Sequence, residues 1–578
     1  MPLTRKELHS VTRLNMLGSG IIPLGSFLLA VIIVIQTCIW IIQYRDVFPF
    51  YDMVLVDYRY FTASARDFWI FHDNEHLPLF VMPLFWTDLK VFGGQGLFLV
   101  LCNLLLAGAI ASVPCFAIGA AAKGRLGLAV IGASVIASMM FWLGNRTNLV
   151  WPKQTHMYLS LFALMPAFAR TASDRVVKLG TVALISACLF LATFSFGYGI
   201  IGFPCVGLIA IARRWQWRSM TALALAFIIT LWLYLDLTSS FSYFVSEGAP
   251  LLGNQISSGL TYALTFVAAP LIFVLRAFST ETVARTAAWI VTALAMALIA
   301  FRMLRAFWHR PDRLEAWALL LALFTLGNAA ETAFARAARF GFEQALEYRY
   351  VLGELPFWIA LVLLTLRSLA GVPRRVYILA GIAMLVLQVA LLISQRYELQ
   401  HLRSDSAIRW QAAMAALDGV DDRSFFQARV WPDPDQVTTV VDNLRAHQLA
   451  MFAWPEAAWV GRTIGSFVNV GTCAGALDEV VPVAGTVGSK VRGWTDDKRV
   501  SAASAWVLLA DPVGTVLGVA HGGEPRPDLF ATRHKDRSRF AGWLGYVPLQ
   551  TTAAELTAYL ALPGQRVCRL VSNAVPAS

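Results

Sequence analysis

Near the start of the chain, the stretch from Phe48 to Pro78 carries Asp52, Asp57, Asp67, His72, Asp73, Glu75 and His76 between two apolar runs. Carboxylates and imidazoles set between membrane-seeking segments are groups for general-base, general-acid and cation-binding chemistry at a membrane surface. Asp52 follows Phe48, Pro49, Phe50 and Tyr51, an aromatic setting of the kind that tunes a base. The plainer reading is an interfacial Asp that solvates its loop. In His72-Asp73-Asn74-Glu75-His76 the two imidazoles would share a helix face at i and i+4, with Glu75 beside them. That suits a metal site, a proton relay or a hydrogen-bonding cradle for a sugar, although zinc would need more ligands.

Two further stretches hold polar chemistry. Arg336, Arg339, Glu343, Gln344, Glu347, Tyr348, Arg349 and Tyr350 lie close together near the ends of two apolar runs. Arginines there could clamp a phosphate or pyrophosphate at headgroup depth; the bland alternative is snorkelling to lipid headgroups. Asn148, Trp151, Lys153, Gln154 and His156 fall within Asn145 to His156, with Trp151 as a stacking platform for a sugar ring or as part of an interfacial aromatic belt.

The elements that must position these residues are mostly membrane spans. The 578 residues are 57% hydrophobic and 14% charged, with mean hydropathy +0.60, roughly half the charge of a soluble domain. This predicts a polytopic α-helical membrane domain. The net charge of +11 sits in short Lys and Arg clusters between apolar runs, the positive-inside pattern rather than a nucleic-acid surface. Ile21 to Ile42 is too long for a signal-peptide core and is read as a retained first span. Arg5, Lys6 and Arg13 before it put the N-terminus inside and residues 45–78 outside. Residues 77–91 read as a helix lying in the interface. Eleven spans, or 12, are expected in all, with one of the runs Leu260 to Leu275 and Ala287 to Ala300 re-entrant or interfacial so that Arg302, Arg305, Arg310 and Arg313 stay inside.

The membrane domain is expected over 1–394 and a soluble extracytoplasmic domain over 395–578. Short runs such as Trp506 to Ala510 and Thr515 to Ala520, parted by Asp511-Pro512 and Gly522-Gly523, have the rhythm of a β-sandwich after a helical lead-in. Five of the seven cysteines lie in apolar runs; the other two, Cys473 and Cys568, lie in the soluble part and can form one disulfide, which needs an oxidising compartment.

At these stretches the chain resembles bacterial polytopic enzymes of the C-type glycosyltransferase superfamily. The matching pieces are Tyr51-Asp52, Asn74-Glu75-His76, Asn148-Leu149-Val150-Trp151 with Gln154, and Arg349-Tyr350 after Gly341-Phe342-Glu343-Gln344-Ala345. Leu77 departs from the pattern, which continues with an Arg after Asn-Glu-His. The resemblance implies transfer of a sugar from a polyprenyl-phosphate donor to an envelope glycan or glycolipid acceptor, with inversion, at the outer face of a bacterial inner membrane. Asp52 would be the base, with Glu75 and His76 orienting the acceptor. Arg349, with Arg339 or Arg336 and with Tyr348 beside them, would hold the departing lipid phosphate. His72, Asp73, Asn74, Asn148, Trp151, Lys153 and Gln154 would line the acceptor and sugar site. Some members of that superfamily use a divalent cation and others do not, so the cofactor stays open and no metal ligands are assigned. The C-terminal part is similar to carbohydrate-binding β-sandwiches in Val491-Arg492-Gly493-Trp494, Gly518, Arg526-Pro527-Asp528 and Gly542-Trp543, with its tryptophans as sugar platforms or, more simply, as core.

An envelope polysaccharide ligase or polymerase would use similar loop chemistry. A secondary transporter would instead need ionisable residues in mid-span and repeated halves. No phosphate-cradling GxxxxGK[ST] run is present, which agrees with a lipid-linked rather than a nucleotide donor.

Overall fold

A computed structural model describes residues 20–72, 76–121, 126–173, 177–238, 252–369, 372–534 and 536–572. The chain divides into two compact units. One takes Met1–Gln43, Trp69–Met82 and Leu99–Leu399; the other takes Tyr44–Phe68, Pro83–Phe98 and Gln400–Ser578. Most of the segment bearing Asp52, and most of the helix Met82–Val91, therefore group with the C-terminal residues.

The first unit is helical. Among the described residues nine helices are long and apolar enough to cross a membrane: Ile22–Gln43, Leu97–Gly119, Leu126–Val150, Trp217–Thr238, Ile256–Arg276, Glu281–Trp308, Arg313–Phe340, Tyr348–Leu369 and Arg375–Leu417. By length and composition these helices suit a multi-pass membrane protein. Large apolar side chains stand out from these helices, Phe334 at 94% exposure and Phe116 at 77%, which water would penalise and lipid would not. The count is below the expected 11 because Thr155–Ser173 is not apolar enough, and because Leu179–Thr193 and Gly197–Ala212 are parted at Phe194-Ser195-Phe196 into two short helices. Ile256–Arg276 and Glu281–Trp308 both reach spanning length, so length gives no reason to make either one re-entrant.

Buried polar side chains tie these helices. Gln388 accepts from Ser26 Oγ at 2.6 Å and donates to Ser138 Oγ at 2.9 Å, and Trp142 Nε1 donates to Ser394 Oγ at 2.8 Å. In a lipid surround such bonds and close packing would replace the hydrophobic drive between helices.

The second unit holds a β-barrel, which corrects the expected sandwich. Its strands are β1 (Val468–Pro482), β2 (Ser489–Thr495), β3 (Trp506–Ala510), β4 (Val516–Glu524), β5 (Gly542–Val547), β6 (Thr557–Leu562) and β7 (Arg566–Val571). They close in the order β1-β2-β5-β4-β3-β6-β7. The reason is β1: its residues 468–474 pair with β7 in parallel and its residues 475–482 pair with β2 antiparallel, with a bulge between Leu477 and Glu479. One long bent strand serves both edges, so the sheet curls into a single barrel instead of splitting into two layers. Cys473 and Cys568 form a disulfide across the β1–β7 seam, with Cα atoms 5.6 Å apart. Trp543 is fully buried and Trp494 nearly so, so both belong to the interior rather than to an open sugar platform.

The rest of this unit is helical: Asp52–Thr62, Ala65–Trp69, Met82–Val91, Arg423–Arg429, Pro434–Ala446 and the last part of Arg374–Leu417. The expected helical lead-in includes the end of one continuous helix that starts at Arg374 and runs to Leu417. Asp433 caps Pro434–Ala446 by accepting from the Asp435 and Gln436 amides, the usual role of Asp at that place.

Candidate functional site

Asp52 opens the helix Asp52–Thr62, where the positive end of the helix dipole favours a carboxylate. The residue before it is strained. Tyr51 has φ 47° and ψ −131°, a conformation that costs a bulky side chain on the order of 1–3 kcal/mol and marks functional sites more often than chance. The turn is held by backbone bonds: Tyr51 N–H donates to Val430 O at 3.0 Å, Met53 N–H to Phe50 O at 3.1 Å, and Val54 N–H to Tyr51 O at 2.9 Å.

The neighbouring carboxylates differ in their surroundings. Asp67 is exposed and accepts from Ser64 Oγ at 2.7 Å, a local turn bond. Asp57 and Asp88 are 3% and 2% exposed, and each has one oxygen with no hydrogen-bond partner among the described residues. Burial, and then the charge of Asp88, holds the Asp57 carboxyl well above the usual range. Burial pushes Asp88 up to about 7, although the Gly96 amide pulls the other way. Asp46 is raised to about 7 by burial, against the pull of Arg409. Among these acids Asp52 is the one that opens a helix, next to a strained backbone.

The other stretches converge within the helical unit. The His76 and His156 rings lie 3.9 and 4.6 Å from the Phe196 ring. Gly197 makes this approach possible, since a Cβ there would lie 2.6 Å from His76 Nδ1. Lys153, with no exposed surface, sets its ammonium 5.3 Å over the Phe71 ring, a cation–π contact strengthened by desolvation. Gln154 is 3% exposed, and its carbonyl oxygen has no hydrogen-bond partner among the described residues.

Asn148 connects this cluster to the arginine stretch. Its Nδ2 donates to Asn145 Oδ1 at 2.9 Å and to Tyr348 O at 3.0 Å. The Tyr348 ring stacks on Phe273 at 4.2 Å and lies 3.6 Å under the guanidinium of Arg146, which pairs with Glu398 in the interior. Arg336 and Arg349 both lie over the Tyr350 ring, at 5.9 and 5.3 Å, whereas Arg339 is exposed and lies over Phe340. Glu343 is engaged by Arg285 at 2.7 Å.

Not every expected residue stands as its type suggested. Asp73, Asn74 and Glu75 lie outside the described residues, and His72 is half-buried. Trp151 is 4% exposed, so its ring faces the interior and is no open stacking platform. Among the described residues no three His, Cys, Asp or Glu side chains come together as a metal set.

Sequence reasoning missed three residues here. Asn103 donates to the Asn148 and Trp151 carbonyls at 3.2 and 3.1 Å and accepts from Thr155 Oγ1 at 2.7 Å, which shapes the loop. A single Asn inside the apolar run Leu97–Ala121 was the available signal. Arg146 and Glu398 pair across 252 residues of sequence, which no local pattern marks.

The helical unit also holds an open apolar groove of about 390 Å³, walled by Trp142, Pro270, Val274, Trp358 and Met384 among others. A hydrocarbon chain fits such a lining. No known protein family, curated protein or solved structure matches the chain.

Proposed function

We propose that the protein is a membrane glycosyltransferase of the C-type kind, which moves a sugar from a polyprenyl-phosphate donor to an envelope glycan or glycolipid. The observation that carries this reading is the convergence in the helical unit. His76 and His156 both meet Phe196, His156 also meets the Lys153 carbonyl, Asn148 bonds Tyr348, the Arg336 and Arg349 guanidiniums share Tyr350, and an apolar groove lies in the same unit. Sugar, anionic phosphate and hydrocarbon tail are the three chemistries of a lipid-linked donor.

In this reading Asp52 takes the proton of the acceptor hydroxyl as the oxygen attacks the anomeric carbon. The bond from that carbon to the phosphate oxygen breaks with inversion, and the arginines stabilise the charge left on the lipid phosphate. Arg339, exposed and away from Tyr350, is the weaker candidate among the three. The Cys473–Cys568 disulfide supports placing the barrel on the oxidising side of a bacterial inner membrane.

The test is transfer from purified polyprenyl-phosphate sugars to envelope glycan acceptors. Asp52→Asn is expected to lose activity by about 10²-fold or more with lipid binding intact, and Arg349→Ala to weaken use of the donor. Normal transfer by Asp52→Asn would sink the assignment of the base.

A second reading draws on Glu354. It is fully buried in the first turn of Val351–Leu369, with neither carboxylate oxygen hydrogen-bonded among the described residues. Ionisable groups inside spans mark ion pathways in transporters. Substrate uptake into sealed vesicles, abolished by Glu354→Gln, would favour that class.

A further inference from the structure

Arg409 is 5% exposed and meets two residues of one short segment. Its Nε lies 2.5 Å from Asp46 Oδ1, itself 4% exposed, and its guanidinium carbon sits 4.9 Å from the centroid of the Phe50 ring. Phe50 in turn lies edge-on to Tyr51 at 4.2 Å, and Tyr51 is the strained residue that precedes Asp52. A buried ion pair is poor grounds for stability, because apolar replacements are often as stable. What this pair does do is fix geometry. Strain at a non-glycine residue persists only where the surroundings over-determine the backbone, and here Val430 O accepts from the Tyr51 amide while Arg409 engages the Phe50 ring just before it.

We propose that Arg409 is a positioning residue for Asp52: it grips Asp46 and Phe50 and so holds the backbone at Tyr51 in the turn that presents the Asp52 carboxylate. Both partners lie upstream of the strained residue, at five residues and at one, so the guanidinium spans the whole approach to it. The one guanidinium meets both a ring and a carboxylate, a double engagement suited to arginine and only half available to lysine. The helix Arg374–Leu417 thereby contributes to the presentation of the base as well as leading into the barrel.

The proposal rests on the reading of Asp52 as the base, and its test separates the two. In the full-length chain in detergent, hydrogen exchange of the Tyr51, Met53 and Val54 amides is compared among wild type, Arg409→Lys and Arg409→Met. Transfer kinetics are measured on the same samples. Expected is exchange faster by about tenfold at those amides in Arg409→Met, with β3 and β4 unchanged. The kcat should fall by about tenfold or more, with KM for donor and acceptor held, because small misplacements of a reacting group act on the chemical step. Arg409→Lys, which keeps the charge against Asp46, should recover part of both.

Unchanged exchange at the three amides in both variants would overturn the proposal. So would a uniform rise through β3 and β4, which would mark a general loss of stability. Exchange is read without activity, so normal transfer by Asp52→Asn would remove the base and leave Arg409's hold on the segment standing on the exchange result.

Discussion

Asp88 and Asp57 should make the stability of their unit depend on pH in a definite direction. Both carboxyls are raised in the folded state, Asp88 to about 7, so the folded protein binds protons that the unfolded chain has released. Their stabilising effect is complete below the ordinary carboxylate range and fades as pH climbs towards 7, at up to about 1.4 kcal/mol per pH unit for each group. The full-length protein should therefore resist denaturant better at pH 5 than at pH 8. Asp88→Asn should flatten that slope and stabilise the pH 8 form; an unaltered slope would show that Asp88 ionises freely. Asp52 was legible from its aromatic neighbours and its place after a span, and the structure puts it at a helix start. The positive φ at Tyr51 was not, because no residue type there announces it: a glycine would have, and a tyrosine conceals it. Glu354 was also hidden, since a single acid near the end of an apolar run reads as a span boundary.

At the level of elements, the break between Leu179–Thr193 and Gly197–Ala212 sets where the imidazoles sit. Gly197 leaves room for His76 beside Phe196, so Gly197→Ala should displace the ring and lower kcat/KM for transfer by about tenfold, while the helical content seen by circular dichroism holds. Wild-type kinetics would mean that the placement of His76 is not needed. The helices themselves were readable because long apolar runs leave few alternatives. Their number was less so: Thr155–Ser173 is long enough to span, yet it carries His156, Ser160 and Arg170 along its length. The strands of the barrel were legible as short runs between turn pairs, but closure was not. Whether β1 pairs with one neighbour or two depends on residues about a hundred positions away, and local pattern carries no record of that.

At the scale of the whole molecule, the single disulfide bears on both stability and compartment. Replacing Cys473 and Cys568 by alanine should cost the barrel about 2–5 kcal/mol, read as a lower denaturant midpoint for near-ultraviolet signals. In protein taken from intact cells neither thiol should react with maleimide until a reductant is added. Immediate labelling of both would place the domain in a reducing compartment. The two-sided pairing of β1 has a further bearing on how the protein is made. As a ribosome delivers the chain, β1 emerges early and finds β2 at once, but its first half must stay unpaired until β7 follows. For that interval an open strand edge faces its surroundings, available to other nascent chains as readily as to its own partner. A cell producing this protein therefore has a reason to shield the unfinished domain until its last strand arrives.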